Sequence, residues 1–533
     1  MSNPARIGQE APDLKTPSSP SRITPTRSLD DDAEHQMTKS EPPAPKYPYA
    51  VDEAGVARVG YVAVDLGQHN KATELQLWPL FGTKLTFARP HMRAFHFQWL
   101  SFFVAFMAWF AYAPLLVIIR QDLDISTRGI WLSNVCNVAA CVVARFVVGP
   151  LGDKHGAVRV QAGLLTFVGV CTLFSGLPKN LAELCVLRFF IGVAGATFVI
   201  TQLWTSEMFA KNVVGLANAL TAGWGNCGGG FTILIMGYVY EGLRSAGLSR
   251  NQAWRNAFYF PGCIVLVVAA ALYAYSDECP QGTLRDAIRA GTRQRQTMRK
   301  SARDGLKNLN SWILFAQYAA CFGVELHVNN AMAMYFYDEY GLSIGTAGLV
   351  ASLFGWMNLF ARGLGGYCSD LANTNCGMRG RLAVHGVSLL AEGLVLVCFS
   401  YVSGLGMAIF TLVVFSILTQ AAEGTTFAIV PFVAPNALGA VAGVVGAGGN
   451  VGAVAWGLMF MFGSSGPQGY RHLGIIIILS AFLTLGINIR GAGSLFRNDM
   501  DSTIERRARG EDDDESFHTA SALTPSSLAS VPA

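Results

Sequence analysis

Charge is what this sequence has least of. Only 14% of its 533 residues are Asp, Glu, Lys or Arg, against roughly 25% in soluble domains. With 52% hydrophobic residues and a mean hydropathy of +0.36, the composition is that of an integral membrane protein. Eleven cysteines are present without a single CxxC pair, mostly inside apolar stretches, so they read as small buried hydrophobes and not as disulfides or metal ligands. Nothing reads as a nucleophile elbow, a phosphate loop or metal-ligand spacing, which argues against an enzyme; no cofactor, metal or nucleic acid is implied. GWGNCGGG, 223–230, imitates a dinucleotide fingerprint, but no strand precedes it and it lies in lipid. The net charge of +4 adds little.

What is present is a series of long apolar runs. Windows of about 20 apolar residues, enough to cross a bilayer, fall near 95–119, 129–149, 157–177, 181–209, 212–240, 254–275, 310–338, 343–366, 380–403, 405–433, 437–463 and 471–491, twelve spans divided six and six. The expected fold is an all-α membrane protein with six-helix bundles at 95–275 and 310–491. The tails 1–94 and 492–533 are polar and rich in Pro, Ser, Thr and Asp, and are expected to be largely disordered. No cleavable signal peptide is expected, so the first span handles insertion. Basic residues set the orientation. The segment 276–309 holds eight Lys/Arg, and GDKHGAVR and NCGMRGRL after spans two and eight are also basic, which places these loops and both termini in the cytoplasm.

The two halves repeat each other. RFVVGPLGD from Arg145 matches RGLGGYCSD from Arg362, pairing Asp153 with Asp370. GATFVI (Gly195 to Ile200) matches GTTFAI (Gly424 to Ile429), and AGWGNCGGG at 222–230 matches GAGGNVGAV at 446–454, pairing Asn226 with Asn450. Three matches in one order read as two bundles related by an axis along the membrane normal, the arrangement of major facilitator transporters, with the substrate site at the midplane between them. The loop GPLGDKHGAVR resembles the one that superfamily carries after its second helix. Glycine every few residues in spans five and eleven makes a smooth face for close helix packing. The two asparagines need partners or a cavity at that depth.

The arginines carry the sharper argument. Asp153 and Asp370 should mark the cytoplasmic ends of spans two and eight, where they would gate. Arg145 and Arg362 then lie about 12 Å deeper, at 1.5 Å per residue, near the centre of a core of about 30 Å. A charge there costs at least ~2.5–3.5 kcal/mol. One explanation is a helix staple with a buried carboxylate, but the midplane candidates Glu325 and Glu423 bear no symmetric relation to the arginines. The other is two guanidinium groups facing each other across the pseudo-twofold axis around one small flat anion, which their planar paired donors suit.

ARFVVGPLGD, AGWGNCGGG, ARGLGGYCSD, AEGTTFAIVPF and GAGGNVGAV together closely resemble the nitrate/nitrite porter family, and FGVELHVNNAMAMYF, KYPYAVD and RPHMRAFHFQW look like its algal and plant high-affinity nitrate transporters. The resemblance covers about residues 46 to 491. It implies that Arg145 and Arg362 clamp nitrate, that Asn226 contributes, and that Tyr318, Phe322 and Phe198 sandwich the anion, with Phe106 or Trp109 of span one in support. Asn450 follows by symmetry. It also implies a single-span accessory protein and the plasma membrane. A negative-inside potential opposes nitrate entry by ~2.3 kcal/mol per 100 mV, so an importer needs a co-ion. The resemblance implies symport with more than one proton, for which Glu325 and Glu423 are the candidates, His327 lies two residues from Glu325, and Glu392 is peripheral. Exchange of nitrate for nitrite, a nitrite-selective or broader carrier, and a non-transporting nitrate sensor on the same fold remain the alternatives.

Overall fold

The computed structural model describes residues 46–52, 54–77, 86–342, 344–462 and 466–496; the expectations for 1–45, 53, 78–85 and 497–533 lie outside the described residues. All twelve apolar stretches coincide with helices. In the first half these are span one His91–Phe110, two Thr127–His155, three Ala157–Leu173, four Leu181–Gly192 continued by Thr197–Met208, five Val214–Ser245 and six Tyr259–Tyr275. Span seven is Leu309–Tyr340. Spans eight and nine run together as Ala361–Phe399, with Ile344–Trp356 opening span eight, and spans ten to twelve are Leu405–Val433, Leu438–Phe462 and Gly466–Phe482.

The boundaries have local causes. Ser126 and Asn180 accept N–H bonds from the first turns of spans two and four, which satisfies donors that a helix start leaves open. Gly156 at φ 90° turns span two into span three, and Gly377 at φ 61°, ψ −151° breaks spans eight and nine apart, conformations that side chains with a Cβ resist. The sequence GLSIG, 341–345, has the spacing of a nucleophile elbow but follows a 32-residue helix and no strand.

Nine helical runs among the described residues are long and apolar enough to cross a membrane, and one of them, Thr346–Phe399, contains the break at Gly377 and so supplies two spans. Spans five and seven fall outside that count. Glycines with Asn218 and Asn226 dilute the first, and Gln317, Glu325 and His327 dilute the second. Both helices pack where the bundles meet or around the buried Arg145 and Arg362.

Part of the stretch expected to be a disordered tail is folded, and that expectation is corrected. Residues 50–72 form a four-stranded antiparallel sheet, β1 Ala50–Val51, β2 Ala57–Val59, β3 Val62–Asp65 and β4 Lys71–Ala72. The sheet is too small to stand alone, but it docks on the ends of the helices. The Ala210 N–H donates to the Ala72 carbonyl at 2.8 Å, Lys71 Nζ to the Ser206 carbonyl at 2.7 Å, and Lys46 Nζ to Asp277 at 2.7 Å. Val62, Ala72 and Leu77 are buried there. Burial lowers the pKa of the Lys71 ammonium, with Glu207 opposing. The basic segment 276–309 also carries two capped helices, Leu284–Arg289 and Met298–Lys307.

Candidate functional site

Span two crosses span eleven and span five crosses span eight, joining bundle to bundle. Both crossings set glycine on glycine. A Cβ on Gly149 would stand 2.0 Å from the Gly439 carbonyl oxygen, and one on Gly366 would stand 2.4 Å from that of Gly215. Asp153 accepts from the Gly439 and Ala440 N–H groups at 2.9 and 3.0 Å, and Asp370 from those of Gly215 and Leu216 at 3.0 and 2.7 Å. Each carboxylate thereby caps the positive end of a helix in the opposite bundle. Asp153 also accepts from Ser301 Oγ at 2.6 Å and lies 3.5 Å from Arg293, which is 3.1 Å from Glu207. Burial works against the Arg293 charge, but Glu207 and Asp153 outweigh it and raise its pKa. Asp370 pairs with Arg381 at 2.7 Å.

Arg145 and Arg362 are sealed from solvent, at 0% and 1% exposure. Arg145 is held by main chain from both bundles: its Nε donates to the Gly195 carbonyl at 3.0 Å and its Nη1 to the Gly446 carbonyl of span eleven. Among the described residues no carboxylate lies within ion-pair distance of it, and Nη2 has no partner. Its Cζ stands 5.2 Å from the Phe198 ring centre and 5.7 Å from that of Phe322, while the Arg362 Cζ stands 5.8 Å from Phe322 on its own account. One aromatic ring thus serves a cation from each bundle, an attraction of ~0.5–2 kcal/mol apiece.

Phe322 belongs to a small aromatic stack. Phe198 lies parallel to Tyr318 and Phe322, at 6.1 and 6.4 Å, and Tyr318 to Phe322 at 5.2 Å. Phe427 meets Phe198 and Tyr318 edge-on at 4.8 and 5.0 Å. Residue-by-residue reasoning overlooked Phe427, yet the repeat contained the signal: GATFVI against GTTFAI sets Phe427 opposite Phe198. Signature glycines seat the rings, since a Cβ on Gly449 would fall 2.3 Å from Phe322 Cδ1 and one on Gly225 would fall 1.9 Å from Phe102 Cδ1.

Residues 98–457 match the model of the Major Facilitator Superfamily. The chain is 40% identical to high affinity nitrate transporter 2.5 of Arabidopsis thaliana, over 76% of this chain and 79% of that one. It is 35% identical to nitrate transporter 2.2 of Chlamydomonas reinhardtii, over 86% and 87%. The chain belongs to the Major Facilitator Superfamily, in its nitrate/nitrite porter family. The cyanobacterial nitrate/nitrite transporter NrtP of Picosynechococcus is 27% identical over 74% of the porter and 89% of its own length. Among solved structures, the proton:xylose symporter XylE superposes with a TM-score of 0.56 at 14% identity, covering 74% of the porter and 95% of XylE, and the E. coli fucose:proton symporter FucP with 0.54 at 12%, covering 73% and 98%. These two share the fold. Family and relatives alike are carriers, not enzymes.

In the porter the carboxylates part from expectation. Glu423 Oε2 touches Arg362 Nη2, and Glu325 Oε2 stands 4.0 Å from the same nitrogen. Arg362 is therefore paired within its own bundle and Arg145 is not, so the picture of two equivalent free guanidiniums is corrected. Symmetry was never required for the pairing. Spans eight and ten lie backbone to backbone, a Cβ on Gly424 falling 2.3 Å from the Arg362 carbonyl oxygen, and that approach brings residue 423 alongside.

Glu325 Oε1 accepts from Asn358 Nδ2 at 2.6 Å, and Tyr318 Oη lies 3.5 Å from Arg362 Nη2. Among the described residues, Asn226 Oδ1 and both polar atoms of Asn450 are buried without partners, as is Arg362 Nη1. Trp109 packs on Phe106 and Phe110 at 5.0 and 5.2 Å and against Gly195, whose carbonyl accepts from Arg145 Nε. His327 faces away from Glu325, its ring 4.4 Å from Phe460. Glu392, read as peripheral, is fully buried in the second bundle, because span nine turns that face toward spans seven and ten.

Proposed function

We propose that the porter imports nitrate across the plasma membrane by proton-coupled alternating access, holding the anion at Arg145 and Arg362. The observation that carries this is the two sealed guanidiniums, one per bundle, sharing the Phe322 ring and each keeping one nitrogen unpartnered among the described residues. Unpaired buried donors are costly, and a flat oxyanion would satisfy several at once, with Asn226 and Asn450 as further partners and Phe198, Tyr318, Phe322 and Trp109 excluding water. Glu325 and Glu423 are the proton-coupling candidates. In this reading both termini are cytoplasmic, Asp153 and Asp370 are the inner gate, the anion bridges the bundles so that they rock about it, and a single-span accessory protein assists.

The deciding experiment is uptake of labelled nitrate by proteoliposomes under an imposed pH gradient, with nitrite as competitor. Accumulation that collapses with the proton gradient is the expected result. Uptake that needs internal nitrite instead identifies an exchanger, preference for nitrite a nitrite carrier, and binding without movement a sensor.

The aromatic seat gives a second prediction. Gly449→Ala places a methyl where the Phe322 ring lies and should weaken nitrate binding by roughly tenfold, the effect of shifting one partly buried cation–π and packing partner. Gly230→Ala, whose Cβ would meet nothing within 4 Å, should leave binding unchanged in the same titration.

A further inference from the structure

The two halves break their symmetry beside the arginines. Span four reads Ala194-Gly195-Ala196-Thr197-Phe198 where span ten reads Glu423-Gly424-Thr425-Thr426-Phe427. The position that is a methyl in the first half is a carboxylate in the second, and that carboxylate occupies Nη2 of Arg362. Arg145 has carbonyls, rings and the Cys141 thiol around it, and among the described residues no carboxylate within ion-pair distance.

We infer that Glu423 is the resident counter-anion of the site, that it and the transported anion compete for Arg362, and that the anion is therefore taken up only together with a proton on Glu423. This rests on the nitrate-transport reading above. Two features support it. Arginine grips a planar oxyanion best through two nitrogens in parallel; among the described residues Arg362 Nη1 has no partner while Nη2 is engaged, so a two-point grip requires Glu423 to let go. The charge balance says the same. Arg145 and Arg362 against ionised Glu423 and Glu325 sum to zero, and a monovalent anion added to that set leaves one uncompensated negative charge in a dry interior, a cost of several kcal/mol. A proton on Glu423 removes it.

The other titratable groups around the pair do not take this part. Glu325 of span seven is farther from Arg362, at 4.0 Å, and is held by Asn358. Tyr318 and Cys321 of span seven and Cys227 of span five ordinarily lose protons only near pH 10 and 8.5. His385 of span nine engages both ring nitrogens, with Thr425 Oγ1 at 2.8 Å and Gln317 Oε1 at 3.2 Å. Glu392 of span nine has no cation within ion-pair distance among the described residues to exchange for an anion.

The test uses the purified full-length protein and nitrate itself. Wild-type affinity should fall about tenfold for each pH unit above the pKa of Glu423, the slope for one linked proton. E423Q, neutral at every pH, should bind nitrate with an affinity that no longer changes with pH, keep nitrate–nitrate exchange, and lose accumulation driven by a pH gradient. Should the variant not fold, a pH-indicator dye in weakly buffered wild-type protein tests the same linkage, with about one proton taken up per nitrate bound above that pKa. An E423Q protein that retains the wild-type pH dependence and proton-driven accumulation, or nitrate binding to the wild type without proton uptake, overturns the inference while leaving nitrate transport standing. A wild type that neither binds nor moves nitrate removes both.

Discussion

Arg145→Lys and Arg362→Lys should each abolish high-affinity nitrate uptake while the protein still reaches the membrane in normal amount. Charge is conserved in both, so the expected loss comes from shape. Arg145 spends Nε and Nη1 on the carbonyls of Gly195 and Gly446 and keeps Nη2 in reserve, a division of labour that a single ammonium cannot reproduce. Arg362 spreads over Glu423, Tyr318 and the Phe322 ring. Losing one or two charge-assisted hydrogen bonds at ~1.5–3 kcal/mol each corresponds to roughly 10- to 100-fold or more in affinity. The measurement is labelled-nitrate uptake alongside surface quantification. Normal KM and rate with either lysine would remove the clamp. Arg145→Lys should be the more damaging for binding, because Glu423 remains to neutralise a lysine at 362 and nothing among the described residues neutralises one at 145.

Gly149→Val should stop transport by a different route, with anion binding preserved. The Gly149 Cα faces the Gly439 carbonyl so closely that even a methyl would sit 2.0 Å from its oxygen. Both partners are backbone in packed helices and neither can step aside, so the crossing of spans two and eleven has to open. Opening it pulls Gly439 and Ala440 away from Asp153 and the span-eleven terminus loses its cap, worth ~0.5–2 kcal/mol. In the proposed cycle, closure on the Asp153 side is then lost. A cysteine placed at 440 in the variant should react with a membrane-impermeant thiol reagent from the side that is shielded in the parent. Nitrate should still bind, since Arg145 lies about 6 Å along the helix from Gly149 and Arg362 belongs to the other crossing, of spans five and eight. Wild-type turnover with a valine at 149 would mean that the close approach seen here is not part of the cycle.

The contrast between these variants tracks what was readable in advance. Arg145 and Arg362 stood out because a charge in an apolar run is expensive wherever the chain folds, and the repeat placed both at one depth before any contact was known. The aspartates of the same motifs stood out as charges at span ends for a similar reason, whereas their partners, the N–H groups of Gly439, Ala440, Gly215 and Leu216, lie at the starts of helices in the opposite bundle. Phe427 was legible and overlooked, since one line of the repeat sets it against Phe198. Glu423 was visible as a buried acid, but its pairing with Arg362 depends on how closely span ten lies on span eight at Gly424.

The sequence by itself determined the membrane class, the twelve spans, the two-fold repeat and the arginine pair, because each follows from the cost of putting a given residue type into hydrocarbon and from periodicity along one chain. Only the tertiary structure decided which arginine is already neutralised, which ring lies between the two cations, and that residues 50–72 form a sheet. Those outcomes depend on surfaces supplied by distant segments. The strands carry too few apolar residues to fold alone and gain their core from the helix ends, and a guanidinium takes whichever carbonyl, ring or carboxylate the neighbouring helix brings within reach.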